Sequence, residues 1–234
     1  MPIAIVTGAS RGLGRAFAAD LARAGWDLVV DARDATALAT AAASWNADTR
    51  VVPVPGDVTH PAHRSDLASA AAGLGGLDLL VNNAGALGPS PLPAVAELAP
   101  QALRELWEVN VVAPLALIGR VLPLLRARRG AVVNLTSDAA VEAYPGWGGY
   151  GPTKVALDHA GRVLAVEEPD IDVYAFDPGD VRTDMHQAAF PDEDISDRAD
   201  PGDVAPALRR LVGRRPPSGR YRAVEVLAVT EVGA

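Results

Sequence analysis

Short aliphatic and β-branched runs recur along this chain at intervals filled by longer helical patterns, and that alternation constrains the fold more than any other feature. Ile3–Val6, Asp27–Val30, Val51–Pro53, Leu77–Val81, Ala131–Leu135, Asp172–Phe176 and Ala223–Val229 read as strands. Helical patterns fill about 13–24, 34–44, 61–72, 98–128, 151–168 and 202–212. Strands alternating with helices form βαβ units, so the pattern predicts an α/β protein with one doubly wound, parallel, seven-stranded sheet and helices on both faces. No composition shift or repeat divides residues 1–234, which are read as one domain. In such a sheet, ligands gather outside the carboxyl ends of the strands.

Composition removes several function classes. Cysteine is absent, which excludes a disulfide scaffold and thiolate metal sites and fits a reducing, cytoplasmic setting. A net charge of −8 disfavours nucleic acid and anionic membrane as partners. The longest apolar run, Val111 to Leu125, is interrupted by Pro114, Arg120 and Pro123, so no membrane span is expected. His60 and His63 lack a third ligand cluster. They are read as a solvated loop or helix start, and no metal is expected.

The first strand runs into Thr7-Gly8-Ala9-Ser10-Arg11-Gly12-Leu13-Gly14. Glycines there let the backbone approach a pyrophosphate, and the following helix offers free N–H groups and a partial positive charge. A strand before and a helix after make this a nucleotide-binding turn, with Gly8, Ser10, Arg11, Gly12, Leu13 and Gly14 as cofactor contacts. TGASRGLG resembles the fingerprint of short-chain dehydrogenases/reductases, and motifs from residue 3 to about 185 follow that family's order. The resemblance implies a Rossmann fold and hydride transfer with a nicotinamide cofactor.

By the same resemblance, the NAD-selecting acid at the end of the second strand would fall at Ala32. Arg33 follows, and Arg11 lies in the glycine turn. Two guanidiniums would make charge-assisted bonds to a 2′-phosphate, so NADP(H) is expected over NAD(H). Asp31 complicates this, although the period-2 rule turns it to the opposite face from Ala32. Asp57 and Val58 resemble the family's adenine-binding pair. Asn83, Ala84 and Gly85 would bring backbone close to the cofactor, with the Asn82 and Asn83 side chains tying down neighbouring strand ends. Pro178, Gly179, Val181 and Thr183 would flank the nicotinamide. Asp177 stands where the family carries Asn or Ser.

Tyr150 and Lys154 lie four apart at a helix start and project from one face. A free tyrosine titrates near 10, and a nearby ammonium is expected to favour the phenolate. Ser137, thirteen residues before Tyr150, follows a strand and matches the family spacing. It would bind the substrate oxygen. Asn110 completes the implied tetrad. Pro114, four residues on, has no N–H for the Asn110 carbonyl, which would be left free to accept a bond from a water in the proton relay the resemblance implies, with a packing-tolerated kink as the alternative. Tyr144, Trp147 and Met185 are candidate substrate contacts, and the acidic segment 184–200 is a candidate lid.

These readings converge on an NADP(H)-dependent oxidoreductase interconverting a small carbonyl and its alcohol, with Tyr150 as acid/base. The resemblance further implies a homodimer or homotetramer paired through helices 98–128 and 151–168. A catalytically silent NADP(H) sensor, or a Rossmann-like methyltransferase, are the rival classes. The tetrad disfavours the first, and the tyrosine–lysine pair and the two arginines disfavour the second. An epimerase or dehydratase of the extended relatives would need a longer C-terminal substrate domain.

Overall fold

Side chains alternate between two core layers along each central strand. In Ile3–Val6 (β1), Ala4 and Val6 pack into one layer and Ile3 and Ile5 into the other. Leu28 and Val30 oppose Val29 in Asp27–Ala32 (β2), and the split recurs with Leu79, Val81 and Leu80 in Leu79–Asn82, here β4. A strand covered on both faces reads as an unbroken apolar run, which is why these segments were legible. Val51–Pro55 (β3), Ala131–Leu135 (β5), Asp172–Asp177 (β6) and Gly219–Arg222 (β7) complete the sheet. The computed structural model describes residues 1–45 and 48–229. Its seven strands are all parallel, in the order β3-β2-β1-β4-β5-β6-β7. This is a Rossmann-type sheet, and its winding reverses between β1 and β4, where a crevice opens at the carboxyl ends.

Gly12–Arg23 (α1), Ala35–Ala43 (α2), Pro201–Arg214 (α8) and Ala223–Ala228 (α9) cover one face through Phe17, Leu21, Leu38, Leu208 and Val226. Pro61–Leu74 (α3), Ala113–Arg128 (α5) and Tyr150–Glu167 (α6) cover the other through Leu67, Leu117, Val121, Leu125 and Leu164. Two shorter helices, Pro100–Trp107 (α4) and Asp184–Ala189 (α7), stand at the carboxyl end of the sheet. Proline opens α3, α4 and α8, where its missing N–H would have no helical partner.

Three expectations change. The predicted helix 98–128 is divided: α4 passes through a π-helical turn, Glu108–Val112, into α5. Pro114 supplies the cause, since it cannot donate to the carbonyl of Asn110 and its ring crowds that carbonyl. The run Pro100–Arg128 also proves long and apolar enough to cross a membrane. Its apolar face, however, packs into the core through Leu117, Ile118, Val121 and Leu125.

The third change concerns the C-terminal strand expected at Ala223–Val229. The last strand is Gly219–Arg222, paired with β6, and Ala223–Ala228 is a helix. Ala223, Val226 and Leu227 fall at helical spacing and join the α8 layer, while the edge strand Gly219-Arg220-Tyr221-Arg222 carries two arginines and reads as polar.

Candidate active site

The turn after β1 is shaped for close approach. Gly8 adopts φ +68°, and a Cβ there would stand 3.0 Å from the Ala84 Cα. A Cβ on Gly14 would lie 2.3 Å from the Gly8 carbonyl oxygen. The α1 N-terminus has no side-chain cap and no acidic residue in its first turn. Its N–H groups and dipole are therefore free for an anion. Ser10 and Leu13 lie in the same turn, Leu13 packed on the core. Thr7 and Asn83 fix this turn to the end of β4. The Thr7 hydroxyl oxygen accepts from the N–H groups of Asn83 and Ala84, both at 3.0 Å, and Asn83 Nδ2 donates to the Thr7 carbonyl at 2.8 Å. Asn82 donates to Asn134 Oδ1 across β4 and β5.

At the adenosine end, Asp57 Oδ1 accepts from the Thr59 N–H and hydroxyl at 2.9 and 2.8 Å. Burial pushes its carboxyl up, but those bonds and the Arg33 guanidinium hold it below its usual value. Arg33 is exposed beside it. Arg11 turns the other way, its guanidinium 3.0 Å from Asp184 at the start of α7, so the two arginines are not paired with each other. Val58, next to Asp57, uses its carbonyl to accept from Arg64.

Tyr150, Lys154 and Asn110 come together beside this cradle, with Ser137 two residues past the Leu135 carbonyl that Lys154 reaches. Tyr150 opens α6 and is buried among Leu87, Ala139, Leu92 and Trp147. Lys154 Nζ lies 5.3 Å from the centre of its ring and donates to the Leu135 carbonyl at 2.8 Å. Asn110, inside the π-helical turn, grips the chain after β4: Oδ1 accepts from the Ala86 N–H at 2.8 Å and Nδ2 donates to the Ala86 carbonyl at 2.9 Å. Nδ2 also reaches Thr153 Oγ1, whose hydroxyl donates to the Tyr150 carbonyl. A Cβ on Gly85 would meet Asn110 Oδ1 at 3.4 Å and Lys154 Nζ at 3.9 Å, so Gly85 marks where these groups converge. Ser137, two residues past β5, caps a short 3₁₀ turn, and its hydroxyl donates to Asp138 Oδ1 at 2.9 Å.

The electrostatics differ from expectation. Burial, then the charges of Asp138 and Asp177, raise the Tyr150 phenol above its ordinary value instead of lowering it. The same burial lowers Lys154 to about 8, with Asp158 pulling the other way. In a desolvated pocket, the loss of water outweighs the attraction of an ammonium that is itself poorly solvated.

Pro178, Gly179, Val181 and Thr183 follow β6. Asp177 Oδ1 accepts from the Gly179 N–H at 3.0 Å, and Gly179 adopts φ +72°. Thr183 caps α7, accepting from the His186 N–H, and its methyl lies 3.5 Å from a Cβ on Gly12. Tyr144 donates to Asp138 Oδ2 at 3.1 Å, while Met185 sits half exposed on α7. Trp147 meets Tyr150 edge-on at 5.6 Å and Phe190 at 6.1 Å. Segment 184–200 covers this cluster through Ala188 and Ala189, and Ser90 donates to the Ala188 carbonyl.

Sequence reasoning missed Phe190, Leu87, Leu92 and Arg220. Arg220, on β7, donates to Asp158 and Asp177 at 2.8 Å each, to the Ser137 carbonyl at 2.9 Å and to Thr136 Oγ1 at 3.1 Å. Its signal was hidden with the strand that carries it. His63 was read as solvated but is buried, 2.9 Å from Asp31. Among the described residues no group of three or more His, Asp or Glu side chains could hold a metal ion.

Known proteins are similar to this chain in sequence and fold. The family model for short chain dehydrogenase matches residues 2–194. Sepiapterin reductase of Xenopus laevis is 33% identical, over 97% of this chain and 87% of its own length. The alcohol dehydrogenase of Thermococcus sibiricus, complexed with 5-hydroxy-NADP, superposes with a TM-score of 0.86 at 28% identity, covering 95% of each chain. A short chain dehydrogenase of Shigella flexneri, complexed with NADP, superposes at 0.87 with 30% identity, covering 95% of this chain and 97% of the other. These likenesses leave no room for a methyltransferase: with its fold, its glycine-rich turn and its matched length, the chain belongs to the short-chain dehydrogenase/reductase family of oxidoreductases.

Proposed function

We propose that this chain is an NADP(H)-dependent oxidoreductase that interconverts a small carbonyl compound and its alcohol, with Tyr150 as the acid/base. The observation that carries this reading is the approach of Lys154 Nζ and Asn110 Oδ1 to Gly85, with the Tyr150 ring 5.3 Å from that Nζ, beside a glycine-rich turn shaped for a pyrophosphate. Gly8, Ser10, Arg11, Gly12, Leu13 and Gly14 would hold the diphosphate and Asp57 and Val58 the adenine, while Arg33 would hold the 2′-phosphate, joined by Arg11 once its exposed pair with Asp184 opens. Asn83, Ala84, Gly85, Pro178, Gly179, Val181 and Thr183 would line the nicotinamide half. When bound, the cofactor supplies a hydride from nicotinamide C4. NADP in one superposable family member and 5-hydroxy-NADP in another support the choice of coenzyme.

The residues of the chain handle the proton. With its phenol pushed up by burial and by Asp138 and Asp177, Tyr150 stays protonated at neutral pH, the form that donates to a carbonyl oxygen during reduction. The Ser137 hydroxyl, turned from Asp138 toward substrate, would hold that oxygen. Lys154 remains largely an ammonium below about 8 and stabilises the phenolate left after proton transfer. Leu87, Leu92, Tyr144, Trp147, Met185 and Phe190 offer an apolar, aromatic wall, with segment 184–200 as the lid, which favours a lipophilic carbonyl of modest size. A sepiapterin reductase among the relatives supports the reductive direction. A cytoplasmic location belongs to the same reading.

Tyr150→Phe tests it. Carbonyl reduction at saturating NADPH is expected to fall by about 10²–10⁴-fold, with NADPH affinity within about twofold of the parent. Near-normal turnover would overturn the assignment of Tyr150. NADPH binding by the parent without turnover of any carbonyl in a broad panel would favour a sensor instead.

A further inference from the structure

Asp31, next to last in β2, has its side chain toward α3, on the opposite side of the sheet from Ala32, which faces the α1 and α8 layer. The side chain is only 1% exposed, and both of its oxygens are engaged inward. Oδ1 accepts from the Gly8 N–H at 2.7 Å, and Oδ2 lies 2.9 Å from Nε2 of His63, itself 7% exposed. His63 belongs to the first turn of α3. Its Nδ1 would stand 2.3 Å from a Cβ on Gly56, so the ring fills the space that Gly56 leaves. The pair therefore underlies three segments at the adenosine end: the glycine-rich turn, the end of β2 and the turn Gly56–Val58.

Net charge is costly inside a protein unless it is paired. One proton held between Asp31 and His63, on either partner, leaves the pair neutral. Asp57, the other carboxylate acting on Asp31, is balanced by Arg33 and His60. A free carboxylate at the end of β2 would do the reverse, accepting from ribose hydroxyls and repelling a 2′-phosphate.

We propose that His63 is a specificity-determining residue. By holding Asp31 against Gly8 in a neutral buried dyad, it removes from the end of β2 the negative charge that would oppose a coenzyme 2′-phosphate. His63 acts through Asp31 and is a positioning residue. The inference rests on the NADP(H) reading and explains how that reading survives an aspartate beside Arg33.

The test measures Kd for NADPH and for NADH by fluorescence titration, slightly above neutral pH, in the parent, His63→Gln, Asp31→Asn and the double variant. Glutamine can still donate to Asp31 Oδ2 but cannot carry the shared proton, and because burial raises the Asp31 carboxyl, the series is repeated at rising pH until Asp31 loses its own proton and stands as an uncompensated anion. The preference for NADPH over NADH is then expected to fall about tenfold in H63Q, from one uncompensated charge near a phosphate. It should stay within about twofold of the parent in D31N and in D31N/H63Q, where that charge is gone. A merely structural role would weaken both coenzymes alike. His63→Asn removes the same proton site with a smaller side chain, should H63Q fail to fold. A preference within about twofold of the parent in H63Q or H63N throughout that pH series would overturn the dyad, whatever the parent's own preference. A parent that binds NADH as tightly as NADPH would overturn the NADP(H) reading instead.

Discussion

Arg220 gathers the ends of two strands and the middle of one helix: Thr136 and Ser137 after β5, Asp177 at the end of β6, and Asp158 on α6. Asp177 and Asp158 are both largely buried, and burial raises the Asp158 carboxyl even with Arg220 beside it. Removing the guanidinium strands two carboxylates where water cannot reach them well, and frees the Ser137 carbonyl. Arg220→Met is therefore expected to lower the unfolding free energy by about 2–4 kcal/mol, somewhat discounted because Arg220 is one quarter exposed. Denaturant unfolding measures this. Unopposed, Asp177 would also push the Tyr150 phenol higher, so the pH profile for alcohol oxidation should move to higher pH. Arg220→Lys keeps the charge without the fork of bonds and should recover the profile better than the stability. An unmoved profile in R220M would limit Arg220 to a structural role. The residue was invisible in the sequence because an edge strand of Gly, Arg, Tyr and Arg lacks the apolar run that betrayed the central strands.

The element that concentrates chemistry is α6. Tyr150, Lys154 and Asp158 follow one another at intervals of four, so a single helix face presents phenol, ammonium and carboxylate in a row. The Tyr150–Lys154 pair was legible from spacing, Asp158 was not singled out, and the electrostatic outcome was hidden, because spacing gives neighbours and says nothing of water. The cost of burying Lys154 has a pH signature. The unfolded chain titrates this lysine near 10.5, while the folded chain does so at about 8. Below about 8 both states hold the proton and the burial cost is fully present. Between about 8 and 10.5 the unfolded state binds more protons, so stability from this group rises with pH, and above that window the cost is gone. Lys154→Met is accordingly expected to raise Tm at neutral pH while abolishing turnover, with the gain shrinking as pH rises through the window. Equal Tm differences at all pH values would mean that Lys154 carries no such penalty. The π-helical turn shows the same division. Pro114 announced a break, and only the fold could reveal that Asn110 uses it to clamp Ala86.

For the whole molecule, the parallel sheet and its crevice followed from alternation and from the glycine-rich turn, since both depend on local pattern. What escaped the sequence depends on contacts between distant segments: His63 meets Asp31 across β2 and α3, and Arg220 meets Asp158 across β7 and α6. Association between copies is also of that kind. One side of α6 carries Val155, Val163 and Val166, and Val112 and Leu115 are exposed at the start of α5. Charged or polar residues would be the ordinary occupants of a solvent-facing helix stripe, so these valines argue for a covered surface. The long helices α5 and α6 are the elements through which the family resemblance implies pairing. The chain is expected to sediment at two or four times its 24.2 kDa. Val163→Asp with Val166→Asp puts two charges on that stripe, away from Tyr150 and Lys154, and should release a folded 24.2 kDa species that still binds NADPH. A parent already at the monomer mass would refute pairing altogether, and an oligomer that survives both aspartates would move the interface to another face.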